Sequence, residues 1–189
     1  AIVSCSDDAG NDLPDNSSSE ICKSSPLFLD KDVDILFVID NSGSMEQEQN
    51  NLIANFPKLI DALASDKLGG KLPNVRIGIV STDLGAGNLY ADNACITDGD
   101  KGILYAKPQV GGCTAPSSGT PWIEYSDTNG VVTTNIPGLG DSITKVKNAF
   151  SCIAKLGTNG CGFEQTIMSA KMALDPVADV NPGFLRNDD

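Results

Sequence analysis

The chain has 189 residues, a formal net charge of −12 and no histidine. Its length suffices for one domain with a sizeable core. The acidic charge argues against nucleic acid and against an anionic membrane surface as partners, whereas it suits divalent cations. The absence of histidine excludes His-based catalytic dyads and triads and His-containing zinc sites within this chain, which disfavours an ordinary hydrolase.

The cysteines are spread along the chain without a close CxxC pair. This spacing disfavours zinc and redox motifs and favours disulfides in an oxidising compartment. No apolar stretch approaches the length of a transmembrane helix. The six positions are Cys5, Cys22, Cys95, Cys113, Cys152 and Cys161.

The start of the chain predicts a tail and a tether. Ile2-Val3-Ser4-Cys5 is similar to the end of a bacterial lipoprotein signal, in which a small residue precedes the cysteine that is lipidated. A disulfide is the alternative role for Cys5. Residues 6–20 have almost no apolar side chain, as in a disordered tether. We therefore expect residues 1–30 to form a lipoprotein-like tail in the cell envelope and residues 31–189 to form the folded domain.

A strand followed by a polar loop is the most informative stretch. The apolar residues 35–39 predict a strand buried on both faces of a parallel sheet. Asp40, Ser42 and Ser44 follow at intervals of two, so one tight loop at the carboxyl edge of the sheet can direct their oxygens to one point. These oxygens suit Mg²⁺, with Mn²⁺ or Ca²⁺ as alternatives. Simpler interpretations are a capping box of Ser44 with Gln47, and an ordinary turn.

The next elements extend the predicted sheet. Apolar spacings of three and four predict a helix over residues 45–64, kinked at Pro57, with the polar residues 46–49 on a solvated face. Residues 75–81 predict a second strand, parallel to the first. Asp83 then lies at the same sheet edge, either as an accessory metal ligand or, as the sequence favours, as a turn-capping residue.

Residues 84–140 predict an irregular, Gly-rich insertion because clear periodicity is lost there. Short strands are expected at residues 102–106, 122–125 and 131–134. We expect Cys95 and Cys113 to staple the insertion. Trp122 is either an anchor for a partner or, as favoured, part of a small local core.

Two helices are predicted in the last part, over residues 142–153 and 162–174. Cys152 and Cys161 bracket the Gly-rich turn between these helices and predict a local disulfide. Within the turn Thr158 could cap the third helix. Glu164 could be an exposed first-turn residue or an accessory group near the site.

The Asp40-x-Ser42-x-Ser44 pattern after an apolar strand resembles the metal-ion-dependent adhesion site of von Willebrand factor type A domains. The longer string DVDILFVIDNSGSM, residues 32–45, resembles the version in bacterial surface lipoproteins of that family. The resemblance implies a Rossmann-like, doubly wound and mostly parallel sheet flanked by helices. It also implies Thr158 as the next metal ligand and a metal that binds a carboxylate presented by a protein or extracellular-matrix partner.

The family pattern continues with a further buried strand that ends in an acidic metal ligand, and none follows here. We therefore expect an incomplete fold with an open edge beside the first strand, which a second polypeptide could pair with. Cys22 could form a disulfide with a cysteine of that missing part.

The sequence thus predicts a metal-dependent adhesion module of a cell-envelope lipoprotein and no enzyme. One alternative is a metal-dependent phosphatase-like enzyme with Asp40 as nucleophile, although that chemistry wants a second Asp where Ser42 stands. The other is a structural envelope protein that binds no metal.

Overall fold

The computed structural model describes residues 2–4, 23–25, 32–65, 71–87, 95, 98–107, 111–117 and 119–186. The predicted tether, Cys5 and Cys22 lie outside these residues. The elements in chain order are β1 (Ile2–Ser4), β2 (Lys23–Ser25), β3 (Val33–Ile39), α1 (Glu46–Leu63), β4 (Val75–Ser81), β5 (Ile123–Thr128), β6 (Val131–Thr134), α2 (Ser142–Ile153) and α3 (Thr166–Leu174).

The larger of two sheets has the strand order β3-β4-β5-β6, while β1 and β2 pair antiparallel by themselves. β3 and β4 run parallel, as predicted, whereas β5 is antiparallel to β4 and β6 is antiparallel to β5. The α/β class is therefore confirmed, but the sheet is mixed and not mostly parallel. The reason is local: Asn129 and Gly130, both with positive φ, turn the chain tightly between β5 and β6 and make them a hairpin.

The sheet separates two apolar cores, because alternate side chains of a strand point to opposite faces. On one face Phe37 of β3 meets Phe56 of α1 and Phe150 of α2, and the last two rings are stacked with centroids 3.5 Å apart. On the other face Leu36 and Val38 pack in the core that includes Ala173 of α3 and also Leu104, Trp122 and Phe184. The helices thus flank the sheet on both sides, in three layers.

β3, the first strand predicted from the sequence, is less buried than expected. Residues 33–38 are only half-buried, while nearly every residue of β4 is buried. The difference arises because β4 lies inside the sheet, and β3 has no strand on its other side within the described ranges. The expected open edge is therefore present in the part of the chain that the structure describes.

Most helices and strands lie where the sequence predicts them. α1 continues through Pro57, and α2 has the predicted bounds. α3 begins at Thr166 instead of residue 162, because residues 162–165 run along the end of β4, where Gln165 N–H donates to the Thr82 carbonyl. The predicted strand at residues 102–106 is irregular. Trp122 is buried in a core, as favoured.

The disulfides pair differently from the prediction. Cys95 is bonded to Cys161 and Cys113 to Cys152, so neither the Cys95–Cys113 nor the Cys152–Cys161 bond exists. The local bond is prevented because the segment after α2 crosses the sheet edge, where Cys161 N–H donates to Asp83 at 3.0 Å. The Cys95 bond instead joins the insertion to this segment, and the Cys113 bond joins the insertion to α2. Disulfides indicate an oxidising extracellular or periplasmic environment. No helix of the described ranges is long and apolar enough to span a bilayer.

Candidate metal centre

Three loops meet at the carboxyl edge of β3 and β4. We call them the first loop (residues 40–45), the second loop (82–87) and the third loop (155–165). Thr82 N–H donates to the Ile39 carbonyl at 3.1 Å, and Gly160 N–H donates to the Asn41 carbonyl at 2.8 Å. Gln165 N–H donates to the Thr82 carbonyl at 3.0 Å. Backbone hydrogen bonds therefore join all three loops around the end of β3.

Asp40 occupies the centre of this edge and is half-buried. Its Oδ1 accepts a hydrogen bond from Ser42 N–H at 2.8 Å and lies 3.5 Å from the Thr82 hydroxyl. Among the described residues, its Oδ2 has no hydrogen-bond partner, and no Lys or Arg forms an ion pair with the carboxylate. The carboxylate is held in place by neutral groups and keeps one oxygen uncommitted.

The three predicted hydroxyl ligands are also uncommitted. Within the described residues, no hydrogen bond uses the hydroxyl of Ser42, which is 5% exposed, or that of Ser44 or Thr158. The N-caps of α1 and α3 are Met45 and Gln165, and neither helix has a side-chain cap. The capping roles considered for Ser44 and Thr158 are therefore not observed. The first loop does contain a turn, since Met45 N–H donates to the Ser42 carbonyl.

The predicted ligands come together to different degrees. Asp40 and Ser42 are in direct contact. Thr158 belongs to the third loop, which is bonded to the first loop through Gly160 and to Gln49 of α1 through Gly157. Ser44 is exposed just before α1 and has no side-chain hydrogen bond to the others within the described residues.

The sequence interpretation missed Gln49, which was placed on a solvated face. Residues 46–48 are exposed, but Gln49 is only 3% exposed. Its Nε2 donates to the carbonyls of Asp40 at 2.7 Å and Gly157 at 2.8 Å, and its Oε1 accepts from Gly157 N–H at 3.1 Å. Helical spacing could have found it, because Gln49 precedes Leu52, Ile53 and Phe56 by three, four and seven residues.

Asp83 has the turn-capping role that the sequence favoured. Its Oδ1 accepts from Gly85 N–H at 2.8 Å and its Oδ2 from Cys161 N–H at 3.0 Å. Since Asp83 is 7% exposed and both oxygens are bonded, it organises the second and third loops. Glu164 is exposed on the rim of an open cleft of about 590 Å³ between residues 84–87 and 162–165.

A second carboxylate network lies under the second loop. Ser81 Oγ and Tyr105 OH both donate to Asp100 Oδ2, at 2.5 and 2.7 Å. Asp100 N–H donates to the Asp83 carbonyl at 2.8 Å. Burial, and then the hydrogen bond to Asp100, raise the pKa of Tyr105 far above its ordinary value. These hydrogen bonds hold the second loop in position.

The donor atoms decide whether a metal fits. Among the described residues no three His, Cys, Asp or Glu side chains cluster as metal ligands. The predicted set has one carboxylate and three hydroxyls, so it is not a cluster of that kind. Hard oxygen ligands that include few carboxylates suit Mg²⁺, which keeps several water ligands. The residues present therefore fit such a cation.

The chain was compared with protein-family models, with curated proteins and with solved structures, and no match was found. The resemblance to von Willebrand factor type A domains consequently depends on residues 32–45 and on the two loops that accompany them. Any functional assignment therefore depends on the geometry of these loops.

Proposed function

We propose that this chain is a metal-dependent protein-binding module of the von Willebrand factor type A kind. In this proposal Asp40, Ser42, Ser44 and Thr158 hold a divalent cation, most readily Mg²⁺. The cation supplies an electrophilic position for a carboxylate of a protein or matrix ligand. The observation that carries the proposal is the uncommitted oxygen set on loops that are joined at one sheet edge.

The charge of the donor set supports a binding role for the cation. One carboxylate leaves a divalent cation with net positive charge, and hydroxyls and water do not change that. A cation of this kind attracts one more anionic oxygen. The carboxylate of a partner is the ligand that a protein most often offers, in an Asp or Glu side chain.

The fold and the disulfides support the same assignment. β3, α1 and β4 form a parallel strand–helix–strand unit with helices on both faces of the sheet, as in doubly wound folds. The oxidising environment is that of an envelope or extracellular module. Lipidation at Cys5 would tether such a module to a bacterial membrane, as the start of the sequence predicts.

The test is thermal unfolding with and without Mg²⁺. At one hundred times its dissociation constant the cation should stabilise the native protein by about 2.7 kcal/mol. Asp40→Asn should remove that shift because it neutralises the charged ligand. Anomalous density for Mn²⁺ beside Asp40 in soaked crystals should identify the position.

Asp179→Asn is the matched control. Asp179 is exposed, and its side chain has no hydrogen bond or ion pair with the described residues. Its φ of 44° is a conformation that Asn adopts readily. This variant should keep the full Mg²⁺ shift. If Mg²⁺ does not raise the melting temperature of the native protein, the proposal is refuted. If the native protein has phosphatase activity and Asp40→Asn loses it, the enzyme alternative is favoured.

A further inference from the structure

We propose that Gln49 is the positioning residue of this site. Its side-chain amide sets the distance between the first loop, which carries Asp40 and Ser42, and the third loop, which carries Thr158. The inference rests on the proposed function, because it names the group that brings the two halves of the ligand set together.

The hydrogen bonds of Gln49 define one orientation of the amide. The two hydrogens on Nε2 reach the carbonyls of Asp40 and Gly157, and Oε1 receives the N–H of Gly157. A flipped amide would place Oε1 against two carbonyl oxygens, so only one orientation is satisfied. Since the side chain is nearly fully buried, water cannot replace these bonds without opening the loops.

The first and third loops also lie in close contact at Gly160. A Cβ on Gly160 would collide with the side-chain amide of Asn41, so the backbone of the third loop lies directly against that amide. Asn41 is buried, and its Oδ1 has no hydrogen-bond partner among the described residues. The contact at Gly160 therefore resists closer approach, while the Gln49 bonds resist separation.

The third loop has fixed points on both sides of Thr158. Cys152, before the loop, and Cys161, within it, are bonded to Cys113 and Cys95 of the insertion. Gln49 adds a link to α1, the helix that follows the first loop. A ligand set split over two loops binds a metal well only when both loops are already in place, because ordering them on binding costs affinity.

Replacing Gln49 by an acid should distinguish the effect of loop position on metal affinity from the effect of charge. Gln49→Glu would put a carboxylate against the Asp40 and Gly157 carbonyls and remove both donors. Gln49→Met keeps a similar shape and loses all three bonds. Partners that orient metal ligands typically change metal affinity by 10- to 100-fold. We therefore expect both variants to bind Mn²⁺ about tenfold more weakly, although Gln49→Glu adds a negative charge near the cation.

Gln47→Glu is the control, because Gln47 is exposed in the same helical turn and makes no hydrogen bond with the described residues. It adds the same charge and should bind Mn²⁺ as tightly as the native chain or slightly more tightly. A purely structural role of Gln49 would lower the melting temperature without metal and leave the Mn²⁺ affinity of the folded protein unchanged. That result would overturn the inference.

A measurement on the native chain covers the case in which the variants do not fold. In a nuclear magnetic resonance titration with Mg²⁺, the side-chain NH₂ signals of Gln49 should shift with the same midpoint as the backbone signals of Ser42 and Thr158. The NH₂ signals of Gln47 should stay in place. A response of Ser42 without Gln49 and Thr158 would overturn the inference alone. No response of any of them would overturn the proposed function and the inference with it.

Discussion

An aspartate lies at each end of the apolar run of β3, Asp34 within the strand and Asp40 directly after it, and the two have opposite surroundings. Asp34 accepts two hydrogen bonds from Arg186, from Nε at 2.8 Å and from the backbone N–H at 2.9 Å. The Arg186 and Asp34 side chains are only 16% and 14% exposed, and Arg186 also pairs with Asp32. Asp40 has only neutral donors around it.

The difference separates a structural acid from a candidate ligand. At the amino end of β3 the carboxylate of Asp34 is paired with a guanidinium within the fold, so its charge is compensated locally. At the carboxyl end the charge is oriented by Ser42 and left uncompensated, which is unfavourable for folding alone and favourable for a cation. Residues that break the rules of stability in this way are expected at functional sites.

The largest predicted effect concerns the disulfides that hold the loops at the carboxyl end of β3. Replacing Cys95 and Cys161 by Ser opens a covalent loop with a sequence separation of 66. The chain-entropy relation then gives a loss of about 4 kcal/mol in the free energy of unfolding. Denaturant unfolding measures it.

The matched control replaces Cys113 and Cys152, whose separation is 39, and should lose slightly less. In both variants the amino end of β3, which Arg186 holds, should keep more of its hydrogen-exchange protection than the second loop, which contains Asp83. Losses below about 1 kcal/mol would mean that hydrogen bonds, and not disulfides, hold these loops.

The second prediction compares the two aspartates directly. Asp34→Asn removes the charge that Arg186 needs and should lower the metal-free stability by about 2 kcal/mol, as for hydrogen bonds to charged groups. Asp40→Asn makes the same chemical change directly after the strand, keeps an acceptor for Ser42 N–H and should cost under about 0.5 kcal/mol. Urea unfolding in a chelator measures both. Equal costs would show that the carboxyl end also depends on its charge for stability.

Local patterns in the sequence predicted the elements well. The bounds of β4, α2 and β6 and most of α1 follow from apolar spacing or β-branched runs, and such spacing reflects contacts along one helix or strand. The mixed sheet was missed, although Asn129-Gly130 is a hairpin signal that precedes β6.

Contacts between distant residues could not be predicted in the same way. Asp34 and Asp40 look alike in sequence, and Arg186, which distinguishes them, lies 152 residues after Asp34. The disulfide partners and the Gly157 contact of Gln49 are also distant, 108 residues in the last case. Three of the four candidate ligands were proposed from their spacing in one short loop, whereas Thr158 was proposed from the family resemblance.

The smallest predicted effect tests the hydrogen-bond network beneath the second loop. Tyr105→Phe removes the donor to Asp100 and should lower stability at neutral pH by about 1 kcal/mol. Ser81 still donates to the same carboxylate, which limits the loss. Urea unfolding of the two proteins side by side measures the difference, and an unchanged stability would mean that Ser81 alone holds Asp100.

Alkaline pH should weaken the contribution of Tyr105 to stability. The pKa of Tyr105 is raised in the folded state, first by burial, so the native protein keeps a proton that the unfolded chain loses near pH 10. Its stabilisation is therefore complete below about pH 10 and falls as the pH rises above that value. Tyr125, whose pKa burial also raises, contributes in both proteins, so Tyr105→Phe should show a shallower alkaline loss. Arg186 stays charged throughout this range, and the ion pairs at the amino end should therefore persist while the second loop loosens.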